Sequence, residues 1–488
     1  MNLCKNAVTR YSCFRKAGIC IAILVLLLQG CSQDENLEPW HTEILDEEFK
    51  VSMLDESVRS FEQYLQLEQR LFIQLDQKIY AQTPTGPSFA LMRYSRGSLS
   101  DPGQQQYNWN RTFEHYAKEP VGGVLLLHGM SDSPYSLRKL GHTLHERGYS
   151  VIGLRLPGHG TAPSGLRNLT WQDMDAAVFL AMDHLASTLG SKPIHMIGYS
   201  TGAPLALNYT LDAIEIGKTT IPASLVLISP AIRVHPTGAF AQFKNALSAI
   251  PGLERLAFLS IMDEFDPYKY NSFATNAGAQ VHHITRSVDQ RIQRLARNSE
   301  LIESLPPVLV LKSAVDSTVT TQAVVDNLLN RLPAGKNELV LFDINRNALI
   351  KSTLLVSDPG PLTRRLGSDQ TLPFAMTFVT NTNPDSIAVV ARHKNEFSSE
   401  IVSTEQLNRS WPAKVVSLSH IALPFSPDDP LYGETPSDKS NLVFLGNLAF
   451  MGERGLLKIP ADWLLRMRYN PFYDYFEQRT LKWLEGAQ

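Results

Sequence analysis

Cysteine is nearly absent from this 488-residue chain, with four residues in all: Cys4, Cys13, Cys20 and Cys31. Beyond Cys31 no thiol remains, so the body of the protein can hold neither a disulfide nor a zinc site built on cysteine. Long apolar runs are missing as well. The run near the start, Ile19 to Leu28, is about ten residues long, against the roughly twenty needed to span a bilayer. No basic run and no recognition motif is present, so nothing points to a nucleic-acid partner and none is expected. No internal repeat is visible.

The beginning of the chain has the features of an address. Lys5, Arg10, Arg15 and Lys16 precede the apolar run, and no acid accompanies them. A charged segment, a short apolar segment and a small residue form a secretory signal. Leu28-Gln29-Gly30-Cys31 resembles the lipobox of bacterial lipoproteins, with Gln29 an unusual occupant of its position. The resemblance implies a signal peptide over 1–30 and lipidation of Cys31. Ser32 after the cysteine implies the outer membrane of the bacterial envelope. An uncleaved anchor is the alternative. Without residues 1–30 the chain carries 45 − 4 = 41 Lys+Arg against 48 Asp+Glu, a net charge of about −7.

Residues 32–48 are polar and acidic, a tether, and 31–107 form an N-terminal segment. Leu54, Val58, Phe61, Leu65, Phe72, Leu75 and Ile79 recur at spacings of three and four. This predicts one helix from about Asp46 to Tyr80, with Glu68 as a polar break in its apolar face. The face fits docking onto the protein's own body better than a coiled-coil seam or a membrane-surface helix.

From about Asn108 strands alternate with helices, the pattern of a mostly parallel sheet. Expected strands are Val121–Leu127, Ser150–Leu154, Pro193–Ile197, Ser224–Ile228, Val308–Leu311, Glu338–Phe342 and Lys414–Leu418. Further strand-like stretches are Phe374–Val379 and Ser386–Val390. Helices are expected at about Ser136–Arg147, Trp171–Ala186 and Pro471–Leu484. Residues 231–305 have helical patterning without a clear strand and form a cap inserted between core strands. The core then comprises 108–230 and 306–488, with a further insertion over about 345–412. In the cap, Phe240, Phe243, Leu247, Leu256 and Phe258 could line an acyl pocket or form the cap's own core.

Gly198-Tyr199-Ser200-Thr201-Gly202 follows an apolar strand. This G-x-S-x-G pattern places a serine on a sharp strand-to-helix turn with its hydroxyl exposed, and it indicates an α/β-hydrolase with Ser200 as nucleophile. Ester hydrolysis by serine needs a base to take the proton, an acid to orient the base, and fixed donors for the oxyanion. In this fold the chain order is Ser, acid, His. Asp316, just past the strand Val308–Leu311, is the acid, with Asp343 as rival. His420, before a Pro-containing loop, is the base, with His393 as rival. Backbone N–H groups of Met130 and Thr201 are the expected oxyanion donors, and His128 is structural. No metal or organic cofactor is required.

Val124 to Ser136, which contains Leu127-His128-Gly129-Met130, resembles the oxyanion strand of bacterial carboxylesterases and monoacylglycerol lipases. Arg155-Leu156-Pro157-Gly158-His159-Gly160-Thr161 resembles their next loop, and Tyr270 to Gly278 resembles their cap segments. These serine hydrolases also include lysophospholipase-like proteins. The resemblance covers about 108–320 and implies ester or lipid substrates. It leaves open a lysophospholipase, thioesterase, acyltransferase or peptidase with the same triad. A non-catalytic envelope binding lipoprotein is the reading from another class.

Overall fold

A computed structural model describes residues 37–217, 220–233, 247–248, 252–316, 318–347, 358–413, 415–436, 443–446 and 466–487. Cys31 and the expected signal lie outside them, as do Phe240 and Phe243.

In chain order the elements are helix α1 (Phe61–Lys78), strands β1 (Phe113–His115) and β2 (Gly122–Leu127), α2 (Arg138–Glu146), β3 (Tyr149–Leu154), α3 (Trp171–Leu189), β4 (Ile194–Tyr199), α4 (Gly202–Ile216) and β5 (Ser224–Ile228). There follow β6 (Phe258–Ser260), β7 (Phe273–Ala274), α5 (Thr275–Leu295), β8 (Val308–Ser313), α6 (Thr321–Asn327) and β9 (Glu338–Phe342). The chain continues through α7 (Gly360–Ser368), β10 (Ala375–Asn381), β11 (Ala388–Lys394), β12 (Ser403–Ser410) and α8 (Tyr473–Gly486).

Ten strands form one sheet in the order β1-β3-β2-β4-β5-β8-β9-β10-β11-β12. From β3 to β10 every pairing is parallel, while β1 and the last two strands run antiparallel to their neighbours. The central strands are buried on both faces, so they appear in sequence as continuous apolar runs such as Val124-Leu125-Leu126-Leu127 rather than as alternating ones. Helices cover them, and one core cluster runs from Phe113 and Leu126 through Ile228 and Leu311 to Trp411 and Phe476. This is the α/β-hydrolase fold.

Several elements differ from expectation, each for a local reason. The N-terminal helix begins at Phe61, where the Ser60 hydroxyl accepts from the Gln63 N–H at 3.3 Å. Upstream, Val51–Leu54 is only a 3-10 turn, because the Val51 N–H is drawn to Asp173 at 2.8 Å, on the first turn of α3. α1 docks on the body as expected: Leu71, Phe72, Leu75 and Ile79 pack with Trp40, Leu45, Tyr94 and Ala162. Each such buried side chain contributes roughly 1.5–3 kcal/mol.

Glu68 is no solvated break but a buried anchor. It accepts from the Thr112 N–H and hydroxyl at 3.0 and 2.7 Å and from Arg155 Nε at 3.1 Å. Arg155 also forks onto Glu48, at 3.0 and 3.3 Å. The N-terminal segment is thereby tied to the loop after β3.

The stretch 415–419 forms no strand. Its carbonyls are taken instead by side chains: Val415 by Asn345 Nδ2 at 2.9 Å and Leu418 by the Ser313 hydroxyl at 2.9 Å. The Asn345 N–H takes the Val416 carbonyl at 2.7 Å. Residues 375–410 extend the sheet with three strands, so His393 lies within β11 rather than on a loop.

Residues 231–305 are also more varied than a helical cap. β6 and β7 form a two-stranded ribbon, and α5 packs along the core helices α3 and α4. Phe258 sits edge-on against His41 of the N-terminal segment, ring centroids 5.2 Å apart, which takes it out of an acyl pocket.

Candidate active site

Gly198 and Gly202 are demanded by close packing at the β4–α4 turn. A Cβ on Gly198 would lie 2.5 Å from the Gly202 carbonyl oxygen, and one on Gly202 would lie 2.1 Å from the Leu127 carbonyl oxygen. Both distances are far inside van der Waals contact. The approach of α4 to β2 and β4 forces Ser200 into the left-handed region, φ 52°, which is strained for any residue but glycine. The Ser200 N–H bonds to the Ile228 carbonyl at 2.9 Å, and its own carbonyl accepts from Ala231 at 3.0 Å. The hydroxyl is thereby presented at the carboxyl end of the parallel strands.

Three segments converge there. Ser200 follows β4, Asp316 lies just past β8, and His420 follows the irregular stretch 415–419. His420 Nε2 is 3.1 Å from the Ser200 hydroxyl, and Nδ1 is 2.8 Å from Asp316 Oδ2. With the carboxylate ionised, Nδ1 carries the proton and donates it, which leaves Nε2 as the acceptor facing the serine. The His420 loop is held by the bond from the Ser313 hydroxyl to Leu418 and by a hydroxyl contact of Ser229 to the His420 carbonyl at 3.4 Å.

Asp316 Oδ1 accepts from the N–H groups of Thr318 and Val319 at 2.9 and 3.0 Å. Burial alone would raise its pKa. Its bond to His420, the imidazole charge and the nearby Lys312 outweigh burial and hold the carboxyl well below the usual carboxylate range. Lys312 Nζ donates to Oδ2 at 2.6 Å, the same oxygen that His420 uses, and both side chains are fully buried. Nothing in the sequence pattern points to this lysine, since an apolar residue would suit a buried strand equally well.

The rivals stand elsewhere. Asp343 is forked by Arg346 at 2.9 and 2.7 Å and accepts from the Thr380 hydroxyl. His393 Nδ1 faces the Thr377 hydroxyl at 2.9 Å on neighbouring strands.

Met130 and Thr201 flank the serine. A Cβ on Gly129 would fall 3.1 Å from that of Ser200, so the end of β2 abuts the Ser200 turn. Among the described residues neither the Met130 nor the Thr201 N–H has a hydrogen-bond acceptor. His128 is buried and accepts at Nε2 from the Leu156 N–H at 3.1 Å, so Nδ1 donates to the Gly129 carbonyl at 2.9 Å. Burial, with His159 beside it, drives its pKa well below the ordinary value. It is a neutral brace that joins the ends of β2 and β3.

The Tyr270–Gly278 segment is likewise a brace. The Tyr270 N–H bonds to the Ser131 carbonyl at 2.8 Å, and its hydroxyl accepts from the Thr161 N–H at 2.8 Å. Asn276 Nδ2 donates to the Leu166 and Leu169 carbonyls.

A model of the alpha/beta hydrolase family matches residues 124–343. A thermostable monoacylglycerol lipase of Bacillus sp. (strain H-257) is 32% identical over 123 residues, 25% of this chain and 48% of that enzyme. The chain therefore spans about half the length of that curated relative. Similar solved structures include one from work on LipS and LipT, two metagenome-derived lipolytic enzymes. It has 22% identity over 49% of this chain and 89% of the other, with a TM-score of 0.39. Another is the monoacylglycerol lipase of Paleococcus ferrophilus, at 18% identity over 48% of this chain and 88% of the other, with a TM-score of 0.35.

Proposed function

We propose that this α/β-hydrolase-fold chain is a serine hydrolase of carboxylic esters that works through an acyl-enzyme on Ser200. The observation that carries the reading is the unbroken array from the Ser200 hydroxyl to His420 at 3.1 Å and on to Asp316 at 2.8 Å. The kinship with a monoacylglycerol lipase supports ester substrates.

His420 Nε2 takes the serine proton as Ser200 Oγ bonds to the acyl carbon. Asp316 keeps the imidazole in the Nδ1–H form and offsets the charge it gains. The tetrahedral oxyanion receives the N–H groups of Met130 and Thr201, neither of which has an acceptor among the described residues. Collapse breaks the C–O bond, and His420 returns its proton to the leaving alcohol. Water, deprotonated by His420, then releases the acid and restores the serine. By the lipobox resemblance, Cys31 carries lipid that holds the enzyme to the bacterial outer membrane.

The test is hydrolysis of p-nitrophenyl esters of graded acyl length by the chain beginning after Cys31, beside Ser200→Ala. Turnover lost in the variant is the expected result, and a panel of lysophospholipids, thioesters and amides orders the substrate classes. No turnover on any of these, with no fluorophosphonate labelling of Ser200, would replace the enzyme reading with that of a binding protein. Radiolabelled palmitate incorporated by the full chain but not by Cys31→Ala checks the anchor.

A further inference from the structure

A buried lysine that the reaction does not require shares an atom with the acid of the array. Lys312 projects from β8 one helical turn's spacing before Asp316, and its Nζ lies 2.6 Å from Asp316 Oδ2, with both side chains at 0% exposure. His420 Nδ1 lies 2.8 Å from the same oxygen, while Oδ1 is engaged by two backbone N–H groups. The carboxylate thus has four donors, and two of them compete for one oxygen.

We propose that Lys312 is a positioning residue that acts through Asp316. By drawing on the oxygen that pairs with His420, it weakens the carboxylate's support for a protonated imidazole and lowers the pH at which His420 becomes a base. This rests on the function proposed for Ser200. Two physical effects point the same way. A cation beside the array repels the charge that His420 gains on protonation. A carboxylate oxygen that already accepts from an ammonium group is also a poorer acceptor for the imidazolium.

Burial disfavours the lysine's own charge, and Asp316 counters that. Among the described residues, Asp132, ion-paired to Lys269 at 3.5 Å, and Arg466 act electrostatically on Tyr199 of β4, whose ring lies 5.8 Å from that of His420. None of them bonds to Asp316 or His420 among the described residues, so Lys312 is the cation placed to set the balance.

The experiment measures the rate of Ser200 labelling by a fluorophosphonate from pH 5 to 9 in the wild type, Lys312→Met and Lys312→Gln. Glutamine keeps a neutral donor in nearly the same volume, which guards against a methionine variant that fails to fold. The expected result is an acid limb displaced upward by about one pH unit in both variants. On the steep part of that limb labelling then falls by up to roughly tenfold relative to the wild type at the same pH, and the rate above pH 8 is retained or raised. A limb that stays in place in either folded variant overturns the proposal and leaves Lys312 as packing. Labelling without hydrolysis of any ester would defeat the ester-hydrolase reading while the limb remained measurable. No labelling of the wild type at any pH would overturn both.

Discussion

Replacing Glu68 by alanine tests whether the N-terminal segment is an integral part of the folded body. Glu68 is 4% exposed and serves three donors: the Thr112 N–H, the Thr112 hydroxyl and Arg155 Nε. Alanine removes all three acceptors at once. Arg155 stays buried with Glu48 as its remaining carboxylate, and the Thr112 N–H is left without a partner. Breaking one side of a buried ion pair costs about 3–5 kcal/mol, much of it the penalty of the uncompensated charge. Unfolding entropy is about 2.1 cal/mol/K per residue, so a body of about 450 residues, Pro39–Gln488, loses roughly 1 °C of Tm per kcal/mol. A fall of about 4 °C in the thermal midpoint is therefore expected by differential scanning fluorimetry. Glu68→Gln retains one acceptor and should fall between the two. A change below about 1 °C for Glu68→Ala would refute the reasoning, since it would mean that the segment unfolds separately from the sheet.

Gly202→Ala should abolish soluble active enzyme, because its Cβ would sit 2.1 Å from the Leu127 carbonyl oxygen; expression and Ser200 labelling check this. Urea midpoints should decline between pH 6.5 and 4.5. His41, His159 and His195 are held neutral by burial, with pKa values lowered from 6.5 to about 4. The unfolded chain binds those protons first, so stability falls as pH drops through this window; a flat profile would count against it. Asp316 adds loss only at stronger acid. Its folded pKa is depressed, so its contribution is present above 3.8 and disappears as pH falls through the folded value. Asp316→Asn should remove that acid component and lower kcat by orders of magnitude through the wrong imidazole tautomer.

The parts of the fold visible in the sequence are those where local pattern and final environment agree. β2, β4, β5, β8 and β9 are apolar on both faces and bounded by turn residues, and Ser200 sits in a turn whose glycines have only one steric explanation. Asp316 follows from chain order and a strand end, and His420 from chain order, since the strand expected before it does not form. Three things could not be seen. The stretch after Lys414 has strand composition, but Asn345 and Ser313 take its carbonyls before a neighbouring strand can. The stretch before Phe61 keeps helical apolar spacing, and Val58 does pack inward, yet Asp173 captures the Val51 N–H and only a 3-10 turn forms. Glu68 reads in the sequence only as a polar break and Lys312 carries no signal at all; their partners in the fold, Arg155 and Asp316, explain their burial.

The reacting groups are far apart along the chain: His420 lies 104 residues from Asp316 and 220 from Ser200. Closing loops of that length comes late in folding, after the strands between have registered. A nascent or partly folded chain carries the serine in its turn but no base beside it, and its hydroxyl is then as inert as any other. Under the proposed chemistry, covalent labelling of Ser200 therefore reports that the distant segments bearing Ser200, Asp316 and His420 have come together.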